Sequence, residues 1–230
     1  MKKKREVLFV LAIYVLQGFL LKKFMGEFGA YEGIIGIGRR VPEEEYPIVR
    51  AMIILLPYIF QLLLFLDCQQ ICIREQIVVV VRRGSVSKVI GGIYKRMILT
   101  CSCFGFFHLA VNLVLFGTKA FSFGIIWNVF INIAIMVILG SMKLVLSFYI
   151  SEGLADVGIL IYMLISSVIG WYGSFWLSLI CLPGLWTADY IWNYKDGTFV
   201  IKFGFLIWIL LLQGIVYKFT QSKMKKMDYI

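Results

Sequence analysis

The 230-residue chain is 61% hydrophobic and 16% charged, with a mean hydropathy of +0.89. Soluble domains carry about 45–50% apolar and about 25% charged residues, so one aqueous core cannot hide this much apolar surface. The net charge of +10 does not argue for nucleic acid, because the basic residues sit in clusters between long apolar runs. A bilayer is the solvent that fits, and the length suits one membrane domain without a soluble catalytic domain beside it.

A hydrocarbon core about 30 Å thick is crossed by about 20 helical residues at about 1.5 Å each. On that measure the sequence predicts an all-α, polytopic fold of about six transmembrane helices forming a single domain over residues 1–230. The basic start Lys2-Lys3-Lys4-Arg5 resembles a signal peptide, but the apolar run Val7–Leu21 ends in Lys22-Lys23 without a small-residue cleavage site. It is read as a retained first helix. Residues 24–49 follow as an outer loop with glycines, two prolines and the run Glu43-Glu44-Glu45. The second helix is Arg50–Leu66, and residues 67–96 form the longest cytoplasmic connection. Met97–Gly117, Ala120–Ile150, Gly158–Leu182 and Val200–Phe219 complete the six, with a second outer loop at residues 183–199. Lys143 lies inside the long fourth segment, which either tilts or emerges with its last turns into the cytoplasmic headgroups, where Lys143 can snorkel. Asp67 and Asp156 are read as residues at helix ends that reach water.

Orientation follows from the distribution of Lys and Arg. With both termini in the cytoplasm, the inner side receives Lys2, Lys3, Lys4, Arg5, Arg74, Arg82, Arg83, Lys88, Lys95, Arg96, Lys143, Lys218, Lys223, Lys225 and Lys226. These are 15 of the 23 basic residues. The five cysteines, Cys68, Cys72, Cys101, Cys103 and Cys181, suggest no disulfide framework in this setting.

The inner connection carries Arg74-Glu75, the apolar run Ile77–Val81, then Arg82-Arg83-Gly84-Ser85 and Lys88. Ser85 is a plausible N-cap for a short helix through Lys88 to Lys95. A β-branched run has to be covered, either by the membrane interface with its basic neighbours on anionic lipid or by a docked cytoplasmic protein. The helix pattern together with Arg83-Gly84-Ser85-x-x-Lys88 resembles permease subunits of ABC-2-type ABC transporters, in particular small ones tied to bacteriocin or lantibiotic export or immunity in Gram-positive bacteria. The resemblance implies that Arg74, Glu75, Arg82, Arg83, Gly84, Ser85 and Lys88 form a coupling segment seated on a separate ATPase subunit. It also implies a second permease subunit, identical or different. ATP and Mg would lie on the ATPase, with no cofactor in this chain.

His108 and Asn112, and likewise Asn128 and Asn132, are four apart and share a helical face. Polar side chains at depth usually face the bundle interior as interhelical glue; a substrate pathway is the alternative. Four of the six tryptophans, Trp171, Trp176, Trp186 and Trp192, crowd the fifth helix and second outer loop. They suit an interfacial aromatic belt. Pro183-Gly184 nonetheless breaks the chain where the fifth helix should end. The permease resemblance implies a re-entrant segment there, which is tolerated only where protein or a water-filled cavity covers its backbone.

The chain has no Gly-x-x-x-x-Gly-Lys-Ser/Thr loop for ATP, and a single histidine excludes a His-rich zinc site. No Gly-x-Ser-x-Gly elbow supports a Ser–His108 nucleophile. No catalytic residue is therefore assigned. The competing expectation is a stand-alone membrane binding or immunity protein, or the substrate-binding subunit of an energy-coupling transporter, marked by a polar pocket within one chain.

Overall fold

The structure is a computed structural model that describes residues 2–25, 52–63, 86–117, 123–172, 175–186 and 198–227. Its helices are α1 (Lys2–Met25), α2 (Met52–Leu63), α3 (Val86–Phe116), α4 (Phe123–Leu146), α5 (Glu152–Tyr172), the single turn α6 (Phe175–Ser178) and α7 (Thr198–Met227). A 3-10 turn, Leu182–Trp186, lies between α6 and α7. Among the described residues there is no strand. Four stretches of the described residues are long and apolar enough to cross a membrane: Ser87–Phe116, Asn128–Leu146, Gly153–Gly170 and Phe203–Lys225. The chain is an all-α polytopic membrane protein.

Contacts give each helix a direction. Phe9 meets Phe60 and Gln17 reaches Ile53 and Ile54, so α1 and α2 are antiparallel. Tyr14 lies beside Phe104, and Lys22 donates to the Leu115 carbonyl, so α3 runs parallel to α1. Gly105 packs on Val129 and Ile133, which reverses α4 against α3. A turn at residues 147–151 reverses α5, with Ser151 at its N-cap accepting from the Ala155 amide. In α7, Gln213 meets Ser141, and Thr220 meets Tyr94 near the start of α3. Helix α7 is therefore parallel to α4 and ends beside the N-terminal end of α3.

Helix α4 is the axis of the bundle. Its membrane stretch is 67% buried within the protein, against 28% for α3, 33% for α5 and 17% for α7. The outer helices segregate their faces. On α5, Ala155, Ile159, Met163 and Ser166 point inward while Leu154, Val157, Ile161, Leu164, Ile165 and Val168 are exposed. On α7, Phe205, Ile209 and Thr220 are buried, and Phe203, Ile207, Leu210, Leu211 and Ile215 face outward. Such apolar outer faces cost little in lipid, which is as apolar as they are.

Helices α1 (Lys2–Met25) and α7 (Thr198–Met227) run past their expected bounds at both ends, and three further segments differ from theirs. The short helix expected over Lys88–Lys95 and the third membrane helix are one continuous α3 of 31 residues, about 46 Å against a hydrocarbon core of about 30 Å. Val89, Ile90, Ile93, Tyr94 and Met97 form its buried stripe, so core packing carries the helix through Gly91-Gly92. It ends at Gly117, whose φ of 67° is the left-handed stop that glycine adopts without a Cβ penalty. The fourth helix ends at Leu146 instead of Ile150. The fifth, expected to reach Leu182, stops at Tyr172.

Beyond Tyr172 the chain doubles back along α5. The Tyr162 hydroxyl donates to the Ile180 carbonyl at 2.6 Å and accepts from the Leu182 amide at 3.2 Å. Trp208 Nε1 donates to the Leu179 carbonyl at 2.8 Å, fixing the segment to α7 as well. Gly184 then lies directly on the backbone of α5 at Gly170 and Ser166, an approach that a Cβ on Gly170 would block.

Candidate functional site: a polar seam between four helices

Each of α1 to α4 turns polar groups toward a common seam. On α1 the buried stripe is Val10, Tyr14, Gln17 and Leu21, at helical spacing, while Leu8, Phe9, Leu16 and Phe19 are exposed. Helix α2 contributes Ile54, Tyr58 and Gln61, helix α3 Cys101, His108 and Asn112, and helix α4 Asn128 and Asn132, all buried. His108, Asn112, Asn128 and Asn132 were expected from the sequence; Tyr14, Gln17, Tyr58 and Gln61 were missed. The missed pairs are one spacing used twice, Tyr14-x-x-Gln17 and Tyr58-x-x-Gln61. Positions i and i+3 share a helix face, so the repeat was a usable signal.

The two halves of the seam are bonded differently. Between α1 and α2 the Tyr14 hydroxyl donates to Gln61 Oε1 at 2.5 Å. Gln17 Nε2 donates to the carbonyls of Ile54 at 3.0 Å and Ile53 at 3.3 Å. The second bond has a specific cause. Pro57 stands four residues after Ile53 and has no N–H, so the Ile53 carbonyl loses its helical donor. In lipid no water replaces it. Gln17 supplies the donor from the neighbouring helix.

Toward α3 the contacts are softer. Gln61 Nε2 donates to Cys101 Sγ at 3.7 Å. The His108 ring lies 4.7 Å from Tyr14 and 6.2 Å from Tyr58, centroid to centroid. Asn112 Nδ2 bonds its own helix at the His108 carbonyl, 2.9 Å away. Several buried polar atoms, His108 Nε2, Asn112 Oδ1, both amide atoms of Asn128 and Gln17 Oε1, have no hydrogen-bond partner among the described residues. A cavity of about 10 Å³ lies at the middle of the seam, lined by Tyr14, Tyr58, Gln61, Cys101, Gly105, His108, Val129, Asn132, Ile133 and Met136. It thus joins His108 and Asn132 at one site, and it has room for about one water molecule.

A second set of polar contacts lies nearer the chain termini. Ser141 accepts from Gln213 at 2.9 Å and donates to the Val137 carbonyl, joining α4 to α7. Lys143 does not snorkel. Its side chain is 3% exposed and its ammonium lies 2.5 Å from Asp156, across the α4–α5 turn. The Asp156 carboxylate lies one turn into the antiparallel neighbour, and a buried charge that is paired costs far less than a bare one. Lys223 sits 4.4 Å over the Tyr149 ring at the same end.

Of the segment expected to couple to an ATPase, Lys88 is in the first turn of α3 and exposed. Arg74, Glu75, Arg82, Arg83, Gly84 and Ser85 lie outside the described residues, as does Trp192. Trp171 is in the last turn of α5, Trp176 is exposed on α6, and Pro183 and Gly184 are buried in the 3-10 turn that also contains Trp186. The cysteines Cys101, Cys103 and Cys181 are free thiols. Comparison with protein-family models, with curated proteins and with solved structures returns no match to this chain.

Proposed function

We propose that this chain is a permease subunit of an ATP-driven transporter of the ABC-2 type, forming the membrane path for export or removal of a peptide or amphipathic compound. ATP hydrolysis, with its Mg ion, belongs to a separate cytoplasmic ATPase subunit, and a second permease subunit completes the assembly. The setting is the plasma membrane of a Gram-positive bacterium, with both termini cytoplasmic and the outer ends of α1 and α3 facing away from the cell.

The observation that supports this reading best is the seam itself: uncharged hydrogen-bonding side chains from four helices, withdrawn from lipid and incompletely bonded to one another. Polar groups at depth are expensive and commonly mark solute routes. The length of α3 adds support, because its first turns, bearing exposed Lys88, Lys95 and Arg96, extend past the thickness that lipid covers. These turns adjoin the segment that the ATPase would grip.

The test is co-purification of the tagged chain from its native membrane followed by an ATPase assay. An ATPase bound to the intact chain, and lost with transport or resistance on deleting Gly84–Lys88, is expected. A chain that never carries an ATPase, and whose deletion variant leaves transport or resistance intact, would overturn the proposal. The second reading is a stand-alone binding or immunity protein, whose ligand would sit in the cavity among α1 to α4. Ligand retained by the isolated monomer without any ATPase would decide for that reading.

A further inference from the structure

The α1–α2 pair is a bonded unit, held by the Tyr14–Gln61 contact at 2.5 Å and the Gln17 bonds to Ile53 and Ile54. Its link to α3 at the cavity is a long thiol contact, Gln61 to Cys101 at 3.7 Å, plus aromatic edges. At the depth of the cavity, separating α1–α2 from α3–α4 breaks one long thiol contact and ring packing that includes the Tyr14–Phe104 stack, whereas separation within α1–α2 breaks several strong bonds. Toward the other end of α1 the Lys22–Leu115 bond and the packing of Gly18 on Leu115 and Val111 hold α1 to α3. The cavity lies on the weak side. His108, 3% exposed, lines it, and its Nε2 has no partner among the described residues.

The lining contains no formal charge. The ammonium groups of Lys22 and Lys143 are committed elsewhere, to the Leu115 carbonyl and to Asp156. A carboxylate or ammonium entering here would be a buried charge without a counterion, which is strongly disfavoured. An amide or hydroxyl finds both donors and acceptors, with aromatic faces beside it.

We propose that the cavity is the closed form of a binding site for an uncharged hydrogen-bonding group, such as a peptide amide or a hydroxyl, which opens when the α1–α2 pair moves off α3 and discriminates against ions. The site names the chemistry that the route accepts, so its use in transport rests on the permease reading. Its existence does not. Cys101 is a native reporter because its thiol lines the cavity, while Cys103 two residues on is exposed on the outer surface of α3.

The experiment uses the full chain in proteoliposomes, with either Cys101 or Cys103 as the only cysteine. Each is treated with neutral methyl methanethiosulfonate and with its cationic trimethylammonium-ethyl and anionic sulfonatoethyl analogues. The thiolate forms a disulfide as the S–SO₂ bond breaks and methanesulfinate leaves. Each Cys101 rate is divided by the rate of the same reagent at exposed Cys103, and this ratio is expected to be at least tenfold higher for the neutral reagent than for either charged one. His108→Phe, which fills the cavity, is expected to slow the Cys101 reaction several-fold. No modification of Cys101 by the neutral reagent overturns the site, and equal ratios with all three reagents overturn the exclusion of ions. If the substituted chains do not fold, tandem mass spectrometry of the unmutated chain compares the two thiols in one molecule. No ATPase is present in the vesicles, so failure to bind an ATPase would sink the permease reading and leave this result standing.

Discussion

Gln17 compensates on α1 for a bond that Pro57 removes on α2, and a double-mutant cycle isolates that compensation. Gln17→Met keeps the length of the side chain and deletes the donor. The Ile53 carbonyl is then unpaired in a water-free setting, where an unsatisfied buried acceptor costs about 1–3 kcal/mol. Interhelical hydrogen bonds in membrane proteins average about 0.6 kcal/mol and reach about 1.7 kcal/mol. The bond from Gln17 is shared between acceptors at 3.0 Å and 3.3 Å, which argues for the middle of that range. Removing the buried Gln17 Oε1, which has no partner among the described residues, offsets part of the cost in the single variant. In a Pro57→Ala background the alanine restores the backbone N–H, so the Ile53 carbonyl no longer needs Gln17. Reversible unfolding in mixed detergent micelles, followed by tryptophan fluorescence, supplies the four free energies. Gln17→Met is expected to cost about 1 kcal/mol less in the Pro57→Ala background than beside the native Pro57, about fivefold in the unfolding constant. Equal costs in both backgrounds, within about 0.3 kcal/mol, would refute the compensation.

Three further perturbations have definite expected outcomes. Gly170→Ala places a Cβ on the backbone of Gly184, where no side chain can rotate away; faster hydrogen exchange across residues 179–186 is expected, whereas Gly18→Ala meets only side chains, those of Leu115 and Val111, and should be milder. Tyr162→Phe removes both of its bonds to the folded-back segment; exchange of the Leu182 amide should quicken about tenfold for a loss of about 1.4 kcal/mol, with α1 unchanged. Breaking the Lys143–Asp156 pair should be asymmetric, because the lysine is 3% and the aspartate 23% exposed. Asp156→Asn, which leaves the buried ammonium without its carboxylate, should cost about 3 kcal/mol; Lys143→Met should cost less, and the double variant should recover most of the loss in the same unfolding assay.

The limits of local reading are clear at particular residues. Lys143 looks like a snorkelling lysine when α4 is read alone, since its carboxylate partner is 13 positions away and arrives only through the antiparallel turn. Gly91-Gly92 reads as a weak point, yet α3 passes through it because Ile90, Ile93 and Tyr94 are anchored in the core. Pro183-Gly184 announces a break, but the return of the chain along α5 depends on glycine meeting glycine at positions 170 and 184. His108 and the asparagines were visible as polar residues in apolar helices. Tyr14, Gln17, Tyr58 and Gln61 lie on α1 and α2, and their repeated spacing was there to be read.

By itself the sequence determined that the chain is helical and lies in lipid, because transfer of about 20 apolar residues out of water is a local property that composition and length measure directly. Which polar groups meet was decided only by tertiary structure. A buried hydrogen bond between helices depends on register, rotation and depth together, and none of these is encoded within one helix. The Gln17–Ile53 bond and the Lys143–Asp156 pair come into being only when the helices are set side by side.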